Sequence, residues 1–405
     1  MVTLDEASNI MFKLAGAVPA IEPARCTKVR HKLSRCSACV DACPTGALSV
    51  EDNEIVVDKT ICLGCGTCSV ACPTQALTSK TSTHSFNELI EVSLNSDYLD
   101  STETEQTNKV LWLACSKHQL AKLGSRHLEA IPCIGALDEA QLIHFAAKGI
   151  DELRLLTNSC ESCPLASAGE YFCKTYRGSQ ELASKWGLTL IVQHIQEENG
   201  QESAFPYLGD GYSRRGFFGS VKQELQKSSL AVAESAIEQH FDEQREKMQW
   251  RTRLLNEEGT ALKRFSIPRN DAILDALYSA ERQPAQTETI QPRFAGRLNI
   301  NHNLCTDCGL CAFFCTTGTL KKLGKDIAQS VARNADNKNN SEAQNTSCAN
   351  ATTPAGAAPK PATHEFRACD CAQCYLCVDA CPNHAIKLDR ELSVAELFEL
   401  EPQAI

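Results

Sequence analysis

The sequence lacks the long apolar runs that would place a protein in or across a membrane. A transmembrane helix needs about 18 or more consecutive apolar residues, and no such run occurs among the 405 residues. Asp5, Glu6 and Lys13 interrupt the segment behind Met1 where a secretory signal would be apolar. A twin-arginine-like segment at 213–219 is internal and is followed by polar residues. We therefore expect a cytoplasmic protein without a membrane span.

The sequence also lacks the usual signatures of an active site. It contains no glycine-rich phosphate loop, no flavin or nucleotide fingerprint, no Ser–His–Asp arrangement and no paired catalytic carboxylates. Its 40 Lys and Arg are outnumbered by 50 Asp and Glu, which gives a formal net charge of −10. An acidic surface disfavours nucleic acid and suits basic patches on protein partners. These absences predict an electron carrier or subunit, not an enzyme.

Cysteine, in contrast, is abundant, with 23 residues. In a cytoplasmic protein, closely spaced cysteines indicate metal ligands or catalytic thiols and not disulfides. The clearest group is CLGCGTCSVACP at 62–73. In the two-cluster bacterial pattern, the first three cysteines of such a run hold one 4Fe–4S cluster and the fourth reaches another. This run therefore predicts a second motif that shares its ligands.

An irregular copy of the motif lies just upstream. Cys36, Cys39 and Cys43 keep the spacing and Pro44 follows, but Leu33 stands where the first cysteine should be. Cys26 is the nearest candidate, because a short loop can present it to the same iron; the alternative is a missing ligand or a foreign one such as His31. Between the motifs, apolar residues flank a polar tip at 51–53, which predicts a hairpin.

Residues 21–80 resemble a two-cluster bacterial ferredoxin, whose two halves exchange their fourth ligands. The resemblance implies two ligand sets. Site I comprises Cys26, Cys36, Cys39 and Cys72, and site II comprises Cys43, Cys62, Cys65 and Cys68. A zinc ribbon also uses paired CxxC units, but it gives no reason for a fourth cysteine followed by proline.

Residues 294–392 repeat the pattern and imply a second such module. Site III comprises Cys305, Cys308, Cys311 and Cys381, and site IV comprises Cys315, Cys371, Cys374 and Cys377. Thr316 replaces the expected proline, which affects the turn and not ligation. A polar stretch at about 326–363 predicts a disordered insertion in the hairpin. Cys348 is a bystander in it, and Cys369 is a spare thiol or a substitute ligand.

The middle of the chain, residues 105–200, predicts a small parallel α/β domain. Apolar runs at 110–114, 128–131, 153–156 and 188–192 are typical of buried strands, with helical segments between them. Cysteines follow three of these strands, at the edge where open α/β sheets bind ligands. They form the middle site, with Cys115, Cys133, Cys160 and Cys163 as possible 2Fe–2S ligands.

The run at 131–164 also resembles the delta subunit of methyl-viologen-reducing hydrogenase. That resemblance implies a 2Fe–2S domain that passes electrons between a hydrogenase and a flavin-bearing reductase. Two alternatives remain open for the middle site: a redox-active CxxC at Cys160 and Cys163, or cysteines that only pack in the core. Packing is the interpretation for Cys173, and His118 and His144 are interpreted as helix-face residues.

The sequence as a whole predicts an α+β multidomain fold. Two ferredoxin-like modules flank the α/β domain, with a helical extension at 1–20, a helical connector at 205–285 and a tail at 393–405. The predicted function is electron transfer by four 4Fe–4S clusters, with a 2Fe–2S cluster at the middle site as a candidate fifth centre. The chain would act as a wire or hub beside a dehydrogenase, hydrogenase or flavoprotein reductase. The alternatives are a thiol- or sulfur-reducing enzyme and an accessory factor for a metalloenzyme.

Overall fold

The computed structural model describes six segments and one isolated residue of the chain. They are residues 18–79, 109–115, 129–157, 160, 163–196, 262–324 and 362–405. Nearly all of the predicted N-terminal extension, residues 205–261 of the connector, nearly all of the insertion at 326–363, His118 and Cys348 lie outside the described residues.

The described segments alternate short strands with short helices. The strands are β1 (Ala20–Ile21), β2 (Leu48–Glu51), β3 (Glu54–Val57), β4 (Leu77–Thr78), β5 (Val110–Cys115), β6 (Glu129–Ile131), β7 (Glu152–Thr157), β8 (Ile191–Gln196), β9 (Thr289–Ile290), β10 (Arg297–Ile300), β11 (Lys321–Lys322), β12 (His364–Phe366), β13 (Ile386–Asp389), β14 (Leu392–Ser393) and β15 (Gln403–Ala404). The α-helices are α1 (Thr27–Arg30), α2 (Ala38–Asp41), α3 (Thr67–Ala71), α4 (Glu139–Ala147), α5 (Ala166–Lys185), α6 (Pro268–Tyr278), α7 (Leu310–Phe314), α8 (Leu376–Asp379) and α9 (Val394–Leu397).

The first module contains the predicted hairpin. Strands β2 and β3 pair antiparallel, with Leu48 opposite Val57. Asp52 and Asn53 at its tip both have positive φ, 49° and 63°, as a two-residue hairpin turn requires. The hairpin prediction is confirmed.

The middle segments form a four-stranded parallel sheet in the order β6-β5-β7-β8. Parallel strands are buried on both faces, and Leu113, Leu153 and Leu155 have no exposed surface. The predicted parallel sheet is therefore present. Its last strand begins at Ile191 and not at 188, because Gly187 (φ 71°) ends α5 in a turn and the N–H of residue 188 bonds to the carbonyl of residue 183.

The second module repeats the antiparallel pairing of the first. Strand β10 pairs with β13, and β12 lies between β11 and β15. The predicted tail is part of this fold: Leu397 of α9 is fully buried, and β15 completes a sheet. Between the predicted connector and the second module lies β9, which pairs with β14.

Helix α6 packs on α4 of the middle sheet and shares an apolar core with the second module. Among the residues that the structure describes, no helix is both long and apolar enough to span a bilayer.

Candidate metal centres

The cysteines of site I come from two motifs and one separate turn. Cys26 caps the N-terminus of α1, Cys36 and Cys39 flank the start of α2, and Cys72 follows α3. Burial, and after it the neighbouring thiols of Cys72, Cys26 and Cys36, together raise the pKa of Cys39 to about 12. Cys72 thus lies beside the upstream motif, as the crossed pattern requires.

Cys26 has the surroundings of a thiolate ligand. Burial raises its pKa most, backbone N–H groups of Lys28 and Val29 lower it by hydrogen bonding, and Cys72 and Cys36 raise it. Backbone donors at sulfur stabilise a thiolate and tune the potential of a cluster. The imidazole of His31, the alternative, instead packs edge-on against Phe314, with ring centroids 4.4 Å apart.

The cysteines predicted for site II lie close together in the same crossed manner. Burial, and after it the neighbouring thiols of Cys65, Cys39, Cys43 and Cys62, together raise the pKa of Cys68 to about 12. Three of these thiols belong to site II, and Cys39 belongs to site I. The two sites are therefore direct neighbours inside the first module.

The last cysteine lies in a recurring turn in three of the four motifs. The N–H four residues later donates to its sulfur in three motifs, at 3.3 Å from Ala47 to Cys43, 3.2 Å from Ala76 to Cys72 and 3.2 Å from Ala385 to Cys381. The residue before each of these donors has a positive φ of 49° to 66°. The motif with Thr316 keeps the positive φ at Gly318.

The first cysteines of the regular motifs are separated by left-handed residues. Two positions of each regular motif have positive φ. One is two residues after the first cysteine, at Gly64, Asp307 and Gln373. The other directly follows the second cysteine, at Gly66, Gly309 and Tyr375. In the irregular motif, Ser37 has φ −129°. The backbone of the irregular motif therefore follows a different path, and Cys26 approaches site I from the turn before α1.

Site III contains a histidine that the sequence did not reveal. Burial and the thiols of Cys308, Cys381 and Cys305 raise the pKa of Cys311 to about 12, although a hydrogen bond from the N–H of Ala312 lowers it. The Nε2 of His364, which has no exposed surface, lies 3.5 Å from the sulfur of Cys311. Its Nδ1 is 2.8 Å from the hydroxyl of Thr363. No motif spacing indicates a contact across 53 positions.

Site IV has one buried cysteine, Cys371, and three half-buried ones. Burial raises the pKa of Cys374 to about 11 and that of Cys377 well above its usual value, with Cys315 among the charges that raise both. The hydroxyl of Thr316 lies 3.9 Å from the sulfur of Cys374. Cys369 instead faces Asp370 and the carbonyl of residue 399, each at 3.7 Å, as a spare thiol would.

The middle site gathers cysteines at the carboxyl edge of the parallel sheet. Burial raises the pKa of Cys133 to about 12, the N–H of Gly135 lowers it, and Cys115, Cys65 and Cys160 raise it. The sulfur of Cys163 accepts the N–H of residue 165 at 3.4 Å. Cys163 is also among the charges that raise the pKa of Cys160.

His194 on β8 was not found from the sequence. Its Nε2 lies 3.7 Å from the sulfur of Cys160 and also bonds to Thr157. Cys173 is exposed on α5, so its interpretation as a packing residue is wrong. His144 lies on α4, half-buried.

In the described part of the chain, no three His, Cys, Asp or Glu side chains are grouped as ligands of a single metal ion. A zinc site with Zn–S bonds of about 2.3 Å brings its thiolates within about 4 Å of one another. The cysteine groups are therefore not spaced as mononuclear zinc sites.

Comparisons with known families identify both ends. Residues 32–76 match the model of a 4Fe-4S dicluster domain, and residues 370–384 match that of a 4Fe-4S binding domain. No curated protein and no solved structure matches the chain. The first match begins after Cys26, and nothing in these comparisons supports the resemblance to the hydrogenase delta subunit. The chain is thus an iron–sulfur protein of electron-transfer type, with ferredoxin-like 4Fe–4S domains near both ends.

Proposed function

We propose that the chain carries electrons between protein partners through four 4Fe–4S clusters, held at sites I to IV, and one 2Fe–2S cluster at the middle site. The observation that carries this proposal is the exchange of cysteines between motifs. Cys72 lies with the upstream motif, and Cys315 lies with Cys371, Cys374 and Cys377. A pair of clusters with exchanged fourth ligands is the arrangement of two-cluster ferredoxins.

The chain's own residues fix and tune these centres. A bound cluster accepts and releases one electron at a time. The thiolates hold it, the backbone N–H groups at their sulfurs favour the more negative reduced state, and burial disfavours added charge. No bond to carbon forms or breaks, so the carrier needs no substrate pocket.

The middle site favours a cluster over a reactive dithiol. A dithiol that exchanges with disulfides needs a thiol with a lowered pKa. Burial raises the pKa of Cys160 instead, despite the hydrogen bond from Thr157 that lowers it. Four cysteines on one sheet edge, with backbone donors at Cys133 and Cys163, fit a cluster better.

The double variant Cys160→Ser/Cys163→Ser tests this assignment, with Cys173→Ser as the matched control. We expect the double variant to lose the 2Fe–2S spectrum and about two irons and to keep the four cubane signals. The control Cys173→Ser should keep all five signals and the wild-type iron content. Unchanged iron together with loss of a thiol-dependent activity would favour the sulfur-reducing enzyme. Stoichiometric reduction and reoxidation of the chain by a purified dehydrogenase, hydrogenase or flavoprotein reductase would exclude the accessory-factor alternative.

A further inference from the structure

Arg30 is a buried cation at the contact between the two ferredoxin-like modules. Its side chain is 5% exposed. It donates to the carbonyls of Ala24 at 2.8 Å and Lys263 at 2.9 Å, and to those of Phe314 at 3.3 Å and Cys315 at 3.4 Å. No carboxylate in the described residues accepts from it. A buried charge is costly unless an opposite charge compensates it.

Clusters bound at sites I and IV would supply the compensating charge. A 4Fe–4S core of about +2 with four thiolates leaves roughly −2 per site. Helix α1 carries Cys26 of site I at its start and Arg30 at its end, where the guanidinium contacts the Cys315 segment of site IV. Burial lowers the pKa of Arg30 to about 10 and Arg264 lowers it too, whereas the thiols of Cys315 and Cys374 raise it.

Other contacts fix the same junction. Phe314 packs in an apolar cluster with Ala24 and Val29 of the first module. Next to Cys36, the N–H and guanidinium of Arg35 bind Asp379 at 2.9 and 2.8 Å. Asp379 ends α8, the helix that contains Cys377, and its side chain is only 4% exposed. The thiol of Cys36 in site I moreover lies close enough to Cys374 in site IV to raise its pKa.

Site II lies where the first module meets the middle domain. Cys65 of site II and Leu63, two residues earlier, pack against the apolar core that contains Cys133. Behind Cys133, a Cβ on Gly135 would lie 2.5 Å from the hydroxyl of Thr67, so only glycine permits this approach. Site II and the middle site are therefore neighbours across a tightly packed contact.

We propose that the five sites form one unbranched relay, in the order middle site, II, I, IV, III, and that Arg30 is the positioning residue that holds sites I and IV together. This inference rests on the proposed function. In each step one reduced cluster gives one electron to the next, and the outer partners, both redox proteins, supply and remove that electron. The outer end is site III, where Cys308 is exposed.

A background with two cubane clusters tests the junction. The variant Cys68→Ser/Cys311→Ser removes a ligand from sites II and III and leaves sites I and IV as the two cubane sites, together with the 2Fe–2S cluster of the middle site, whose signal is recorded separately. We expect the EPR spectrum of its fully reduced form to show magnetic coupling between two clusters. Adding Arg30→Met should abolish this coupling without loss of iron, and adding Lys32→Met, which removes an exposed positive charge nearby, should leave it intact. Two uncoupled signals in the background itself would overturn the relay.

The iron content separates this failure from that of the proposed function. A background without iron–sulfur spectra contradicts the ligand assignment. If that background fails to fold, the comparison is made in the full chain: Arg30→Met should remove one coupling and keep all the iron, relative to wild type and Lys32→Met. Unchanged coupling in Arg30→Met would refute the role of Arg30.

Discussion

The substitution Cys72→Ser separates the crossed arrangement from an uncrossed one. Cys72 follows Cys62, Cys65 and Cys68 in sequence, but its thiol lies close enough to Cys26 and Cys39 to raise the pKa of both. We expect the variant to lose the cluster of site I and to keep that of site II. Four 4Fe–4S clusters and one 2Fe–2S cluster correspond to about 18 irons, so the variant should retain about 14.

The loss should not come from unfolding. Cys72 is 6% exposed, and its sulfur accepts the N–H of Ala76 and contacts the hydroxyl of Thr74 at 3.6 Å. Serine is nearly isosteric and can accept the same N–H. We therefore expect a far-ultraviolet circular dichroism spectrum close to that of the wild type.

Double substitutions identify which cluster is lost, by iron and sulfide analysis of anaerobically purified protein. Cys72→Ser combined with Cys39→Ser should lose no more iron than either single variant, because both belong to site I. Cys72→Ser combined with Cys68→Ser should lose about eight irons. The reverse pattern, with additivity for Cys39 and none for Cys68, would show that the ligands are not exchanged.

Three further predictions concern ligation and stability. Cys26→Ser should lose the site I cluster by EPR, whereas His31→Gln should keep it; the opposite result would make the histidine the ligand. Phe145→Ala, at a fully buried position of the sheet core, should lower the free energy of unfolding by about 3–5 kcal/mol in chemical denaturation, and Cys173→Ser by less than about 0.5 kcal/mol. Because burial raises the pKa of ligand thiols such as Cys68, to about 12, they are protonated in the metal-free chain at neutral pH. Cluster assembly should then release protons, and iron loading should rise with pH; pH-independent loading would contradict this.

Much of the site could be predicted because iron–sulfur ligation is encoded in local spacing. The regular motifs predict which cysteines turn toward one cluster, since their short turns leave few ways to place three thiolates. The hairpin was equally local, with its turn residues between two short apolar segments. Three strands of the middle sheet followed from continuous apolar runs.

The remaining features depend on contacts between residues far apart in sequence. His364 meets Cys311 across 53 positions, and His194 meets Cys160 across 34. Arg30 contacts Cys315 across 285. A lone histidine or arginine carries no spacing signal, so nothing in the sequence distinguishes these residues from solvated ones. The predicted tail at 393–405 is stabilised by the pairing of β15 with β12, which lies about 40 positions earlier in the chain.

The content of the metal sites tests the account most directly. We would purify the full chain anaerobically, count iron and acid-labile sulfide, and record EPR spectra after stepwise reduction. We expect about 18 irons per chain, four cubane signals and one 2Fe–2S signal. About 16 irons would leave the middle site without a cluster, and bound zinc without sulfide would contradict the central claim.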